Sequence, residues 1–322
     1  MFRLTRVGSC LLLSGAVLMV SGCGETKAPN AKAEDVVTKR VFCVSYPLQF
    51  LTQQITGGEI EVLVPFGEND NPWSFRPSRE VISQMQSADL VIANGTGAKY
   101  AKWLDTVSLA ESKVVKTASR GLSLRDYIAI ENAAVVHSHG PEGEHSHAVM
   151  AIRPWLDPAL AKKQAAYITE QLGKVYPDQA EVFSANLRSL NTKLERLTEK
   201  LNAGDVKGSP VVLSLSPKFK FLSKAAALDD KTVTDFEADE SSLSDLEAFK
   251  SGLEKQLAKF KPQPTSILVG SSVPLDREPC KSLSIFGLNP VVIDSLDHQP
   301  SDGDYLSVLE GNIERVLELR NE

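Results

Sequence analysis

The sequence predicts an α/β protein of two lobes, each a mainly parallel sheet flanked by helices, joined by one long rigid helix. Three observations predict this. Phe183, Leu187, Leu190, Leu194, Leu197 and Leu201 recur at steps of four and three, one apolar stripe along a helix. On either side of that stripe, short β-branched runs alternate with amphipathic segments, the pattern of a parallel sheet covered on both faces. With 322 residues, 42% hydrophobic and 24% charged, the chain has globular composition and room for two domains of ordinary size.

The long helix is expected over 178–203. Pro177 precedes it, Asp178 with Glu181 reads as a capping box, and Gly204 is a stop. At 1.5 Å per residue it would run roughly 35–40 Å. The stripe ends after about three heptads, which favours a packed helix over a coiled-coil strand.

The first residues carry a targeting signal. Arg3 and Arg6 precede an apolar run from Val7 to Val20, too short to span a bilayer. The run ends in Val20-Ser21-Gly22-Cys23, small residues followed at once by cysteine, which looks like a lipoprotein cleavage site. Segment 1–23 is therefore expected to be removed up to a lipidated Cys23. Acyl chains there would tether a soluble domain to a membrane on the periplasmic or extracellular side without spanning it. Residues 24–39, rich in Ala, Lys, Glu, Pro and Thr, read as a flexible tether. Cys10 leaves with the signal. Cys43 and Cys280 fall in opposite lobes and are expected to be buried free thiols, although an exported compartment would permit a disulfide.

The N-terminal lobe is expected over 40–177. Strands are predicted at Val41–Ser45, Ile60–Val64, Asp89–Ala93 and Val114–Val115. Helices are predicted at Gln49–Ile55, from Ser78 to about Ser87, around Trp103, and from Pro158 to about Val175. Asn94-Gly95-Thr96-Gly97 lacks a dinucleotide or P-loop pattern and reads as a strand-to-helix turn. A polar stretch over 131–148, expected to be an irregular loop, holds His137, His139, His145 and His147, four of the five histidines of the chain. The C-terminal lobe, 204–322, repeats the alternation. Its strands are expected at Val211–Ser214, near Val233, at Ile267–Gly270 and at Val291–Asp294. Its helices are expected at Lys218–Ala227, Ser241–Phe260, Arg277–Ile285 and Asp304–Leu319. In such sheets ligands bind outside the carboxyl ends of the strands.

An ordered set of residues then resembles a known family. Tyr46-Pro47 follows the first strand, and Arg76-Pro77-Ser78 the second, before Ala88-Asp89-Leu90-Val91. A histidine-rich loop precedes Trp155-Leu156-Asp157-Pro158, and Phe219 to Lys224 opens a helix in the second lobe. Val269 to Val273, Ile293 to Leu296 and Asp304-Tyr305-Leu306 complete the set. From about Val41 to Leu319 the chain resembles the zinc- and manganese-binding solute-binding lipoproteins of bacterial ABC importers. The resemblance implies capture of a divalent metal, zinc or manganese, between the lobes and delivery to an ABC permease. It implies ligands at four positions, which fall here on Asn71, Arg153, Ser216 and Asp294, with Asp70 as an alternative oxygen ligand beside Asn71. Gly270 stands where the family often has a glutamate.

Only Asp294 of these four is an ordinary metal ligand, and Arg153 is a fixed cation that cannot become one. Arg153 is instead expected to form a bidentate pair with Asp294 across the cleft. The His-x-His pairs are expected to bind zinc weakly as an auxiliary site, since a loop offers little preorganisation. Trp73 and Phe75 could line a pocket or simply pack, and His298 has no evident partner. Ser271-Ser272 lacks a histidine at any recognisable spacing, so no nucleophile-and-base set points to an enzyme. A net charge of −6 without a basic stripe argues against nucleic acid as partner. The functional expectation is a monomeric, lipid-anchored solute-binding protein with a degenerate site. The alternatives are a non-transport interaction or adhesion lipoprotein on the same fold, or a binder of an anion or chelated metal through Arg153.

Overall fold

The computed structural model describes residues 39–67, 70, 75–95, 102–138, 144–151, 153–203, 209–214, 217–232, 246–271, 281 and 283–320. The expected architecture is present: two four-stranded parallel sheets, each flanked by helices, with the long helix between them in the chain. The first sheet contains β1 (Arg40–Cys43), β2 (Glu61–Leu63), β3 (Leu90–Ala93) and β4 (Val114–Lys116), ordered β2-β1-β3-β4. Among the helices of this half are α1 (Tyr46–Thr56), α2 (Arg79–Ser87), α3 (Thr117–Gly121) and α4 (Pro158–Val175).

Local chemistry places the helix ends. Pro47 lies in the first turn of α1, where its missing N–H costs nothing, and Gly57 closes the helix at φ +63°. Ser78 caps α2 by accepting from Val81 N, and Asp157 caps α4 by accepting from Ala159 N and Leu160 N. Asp89, expected in the third strand, sits just before β3. Its carboxylate accepts from Arg40 N at 2.9 Å and from the Tyr176 hydroxyl at 2.7 Å, joining the start of β1 to the end of α4.

Within the stretch 131–148, expected to be an irregular loop, the described residues are strand. β5 (Ala129–Ser138) and β6 (Glu144–Met150) form an antiparallel ribbon in which His137 stands opposite His145 and Val135 opposite His147. Trp103 lies in a single 3-10 segment, Lys102–Thr106, rather than in an α-helix.

The long helix is α5 (Ala180–Asn202). Phe183, Leu190, Leu194, Leu197 and Leu201 are buried, with Leu187 packed partly against the same core. Each buried side chain of this kind stabilises the fold by about 1.5–3 kcal/mol relative to exposure. The expected capping box does not form: Pro177–Gln179 make a 3-10 turn, and α5 begins at Ala180 with no side-chain cap. The tighter turn leaves Asp178 outside the α-helical register.

The second sheet contains β7 (Val211–Ser214), β8 (Asp229–Thr232), β9 (Ser266–Gly270) and β10 (Asn289–Ile293), ordered β10-β9-β7-β8. Numbered from the start of each half, the order is the same as in the first sheet. The helices include α6 (Lys220–Ala225), α7 (Leu246–Leu257) and α8 (Tyr305–Glu318). Of the helix expected near 277–285, Lys281 is helical and a 3-10 turn follows at Leu283–Phe286; residues 277–280 and 282 lie outside the described set, as do 241–245 and Val233. Alternation along β7 and β9 sends Val212 and Leu268 into one core and Leu213, Ile267 and Val269 into another. The first of these cores is shared by both halves: it joins Phe42, Leu51 and Ile92 to Ile293, Leu309 and Ile313 through the buried face of α5.

Candidate functional site at the inter-lobe junction

The junction is built by two short segments, Arg153 to Asp157 from the first half and Asp294 to His298 from the second. Arg153 precedes the 3-10 turn Pro154–Leu156 that leads into α4. Trp155 and Leu156 are fully buried, so the segment is held as core, and the Arg153 side chain is drawn in with it.

On the facing side, β10 ends at Ile293 and the chain turns sharply. Asp294 Oδ1 accepts from Leu296 N at 2.7 Å, and Asp294 Oδ2 accepts from the Ser271 hydroxyl at 3.0 Å. The backbone of Asp294 is held by Asn312 of α8, with its N–H donating to Oδ1 at 3.0 Å and its carbonyl accepting from Nδ2 at 2.8 Å. Leu296 has φ +56°, a left-handed conformation that costs a branched residue about 1–2 kcal/mol. Its side chain is fully buried, which offsets that strain by about 1.5–3 kcal/mol.

This turn decides the ion pairing. Asp294 bonds its own turn and Ser271, and the carboxylate that meets Arg153 is Asp297. Arg153 Nε donates to Asp297 Oδ1 at 2.9 Å and Nη2 to Oδ2 at 2.6 Å, a bidentate fork. The expected pair of Arg153 with Asp294 is therefore replaced by one with Asp297, three residues on. The arginine side chain is 2% exposed and the aspartate 11%. Ser295 adds a hydroxyl donor to Asp297 Oδ2 at 2.9 Å.

Neutral hydrogen bonds surround the pair. Trp155 Nε1 donates to the Ser295 carbonyl at 3.0 Å, and the Tyr305 hydroxyl donates to the Trp155 carbonyl at 2.6 Å. Tyr305 N donates in turn to the Tyr46 hydroxyl at 3.1 Å. Burial pushes the Tyr305 hydroxyl well above the ordinary tyrosine range, with the charge of Asp157 acting in the same direction, so it stays a donor. Burial also raises Asp157 itself, against the lowering effect of its two backbone donors.

Beside the pair lies an aromatic contact. Phe66 meets His298 edge-on at 6.2 Å between ring centroids and Phe75 at 5.7 Å, and Phe75 meets Trp103 at 5.1 Å. His298, which had no evident partner in the sequence, thus packs against the first half. Phe75 packs against the core of the first half.

Of the expected ligand positions, the structure places Arg153 and Asp294 on the two facing segments. Asn71 and Ser216 lie outside the described residues, as do Trp73, His139, Cys23 and Cys280; His137, His145 and His147 are on the ribbon. Among the described residues no three of His, Cys, Asp and Glu converge in a way that could hold a metal ion. Cys43 is a buried free thiol, pushed up to about 12 by burial and so inert as a nucleophile.

The profile of the family described as zinc-uptake complex component A, periplasmic, matches residues 41–318. The chain belongs to this family. Its relatives include the zinc-binding lipoprotein AdcA of Streptococcus pneumoniae, 27% identical over 223 residues. That match spans 69% of this chain and 41% of the relative, so the chain covers less than half of AdcA. The high-affinity zinc uptake system protein ZnuA of Bacillus subtilis is 27% identical over 202 residues, 58% of this chain and 57% of the relative. Among solved structures, the Zn(II)-bound ZnuA-like domain of Streptococcus pneumoniae AdcA superposes with a TM-score of 0.64 at 19% identity. The alignment covers 88% of this chain and all of that one. The solute-binding protein FpvC of Pseudomonas aeruginosa, in complex with Mn2+, gives 0.67 at 16% identity, covering 88% and 99%. At these identities the superpositions establish the shared two-lobed fold.

Proposed function

We propose that this protein is the extracytoplasmic solute-binding component of a zinc- or manganese-type ABC importer, monomeric and not an enzyme. It is anchored through a lipidated Cys23 and hands its cargo to a membrane permease. Family membership over 41–318 is the observation that carries this reading. The relatives named zinc-binding or zinc-uptake proteins, and neighbours solved with zinc or manganese, give the cargo class.

The inter-lobe chemistry sets how tightly cargo can be held. A guanidinium at 4 Å repels each unit of positive charge by roughly 4 kcal/mol at an effective dielectric of 20. Asp297 offsets that charge, so what the guanidinium removes is the free carboxylate that could have held a divalent ion at the seam. Asp294 retains lone pairs for a ligand, with Asn71 or Asp70 and Ser216 as weak oxygen donors. His137, His139, His145 and His147 supply the nitrogen donors that zinc prefers. Cargo capture is therefore weak and centred on the histidine ribbon.

Calorimetric titration of metal-stripped protein starting at Gly24 with zinc and manganese tests this, beside a variant lacking 136–148. Weak binding that disappears with the deletion is expected. Tight one-site binding that survives it would contradict the account. One observation favours a second reading, an interaction or adhesion lipoprotein on the same fold: the buried Arg153–Asp297 pair already joins the two halves at the junction. Absence of metal binding in both proteins would select that reading. The anion-binding alternative loses ground, because Asp297 already balances the charge of Arg153.

A further inference from the structure

Arg153 and Asp297 are 144 residues apart in the chain, and they meet in a buried ion pair. The pair joins the two halves directly, and it does not stand alone. Trp155 with Ser295, Tyr305 with Trp155, and Phe66 with His298 all cross the same seam. A charged side chain this buried is tolerated only when paired and hydrogen-bonded, and here both oxygens of the carboxylate and two nitrogens of the guanidinium are engaged.

We propose that Arg153 is a built-in cation that takes up the Asp297 carboxylate at the inter-lobe seam, so that these two residues determine specificity by denying the seam to free divalent ions and hold the halves together without cargo. The inference rests on the solute-binding reading above and deepens it. In this arrangement the guanidinium does the work a bound metal would do: it neutralises an acidic group from the second half and ties it to the first. Unlike a metal, it cannot leave. Closure of the seam is then independent of cargo, and selectivity is set by two side chains that never touch the cargo.

The decisive substitution is Arg153→His. It removes the fixed charge, leaves the Asp297 carboxylate seeking a cation, and supplies a neutral nitrogen donor on the segment that faces Asp297. With zinc as the probe, calorimetry on protein lacking 136–148 is expected to show one new site, at least tenfold tighter than any seam binding in the unsubstituted chain. Arg153→His/Asp297→Ala is expected to lose it. A folded Arg153→His protein with no gain in zinc binding would overturn the proposal, as would a gain that persists without Asp297. Where Arg153→His fails to fold, hydrogen exchange on the full, unsubstituted chain decides. Protection at 153–157 and 294–298 is expected to be the same with and without zinc, and zinc-induced protection there would overturn the proposal. The importer reading can fail separately: loss of all binding at the ribbon with a gain in Arg153→His removes the cargo assignment and leaves the built-in cation standing.

Discussion

Two ion-pair regions tie distant parts of the chain together, and they do so under opposite conditions. At the seam, Arg153 and Asp297 are buried and held by a bidentate fork. On the outer face, Lys200 of α5 meets Glu310 of α8 at 3.0 Å and also Glu314, while Arg196 reaches Glu310 at 3.2 Å. The side chains of the second group are 31–72% exposed. Both regions pair charges more than 100 positions apart. The difference teaches that burial, not distance, sets what a pair does here. Water screens the outer network and can replace any member. At the seam both side chains are largely shut off from water, so the pair fixes which groups face each other.

The largest effect is expected from breaking the seam pair on one side. Asp297→Ala leaves a buried guanidinium without its carboxylate and is expected to cost about 3–5 kcal/mol in urea unfolding. Arg153→Met/Asp297→Leu removes both charges and is expected to lie close to the original stability, since apolar replacement of a buried pair is often neutral. Next comes Tyr305→Phe, which strips the donor from the buried Trp155 carbonyl and is expected to cost about 1–3 kcal/mol.

Asp157 sharpens the comparison through pH. Its folded pKa is raised by burial, so the folded state holds its proton more tightly than the unfolded chain does. The ionised form is thus penalised, and stability falls as pH rises from the ordinary aspartate range through the raised value. Asp157→Asn keeps an acceptor for the α4 cap and is expected to remove that slope. Asp157→Ala loses the cap, about 1 kcal/mol, together with the slope, so its cost relative to the unsubstituted chain is expected to be larger at low pH than at high pH. Glu310 behaves oppositely. Hydrogen bonding from Lys200 lowers its pKa, so its small stabilisation is present above the ordinary glutamate range and lost as pH falls through the lowered value. Lys200→Ala is accordingly the smallest effect, within about 0–1 kcal/mol, and should shrink further in salt.

Much of the frame was legible because it depends on local periodicity. The stripe from Phe183 to Leu201 and the run Leu90–Ala93 are each self-sufficient signals. What was misread depended on turns or on non-local pairing. The polar tract around His137 hid two strands, although Gly140-Pro141-Glu142-Gly143 between the Ala133–Val136 and Ala148–Met150 runs was a hairpin signal. The partner of Arg153 was displaced by three residues because a strand-end aspartate readily bonds its own turn, and Asp294 does so through Leu296 N. The left-handed Leu296 then brings Asp297 to the seam, and no leucine advertises that conformation in sequence. The outer network of Lys200, Glu310 and Glu314 was equally invisible, because it requires knowing that α5 and α8 lie side by side.

The most direct test is a double-mutant cycle in urea on Arg153→Ala and Asp297→Ala, run beside one on Lys200→Ala and Glu310→Ala. The account predicts a seam coupling of at least about 1.5 kcal/mol and an outer coupling below about 1 kcal/mol. A seam coupling no larger than the outer one would contradict it.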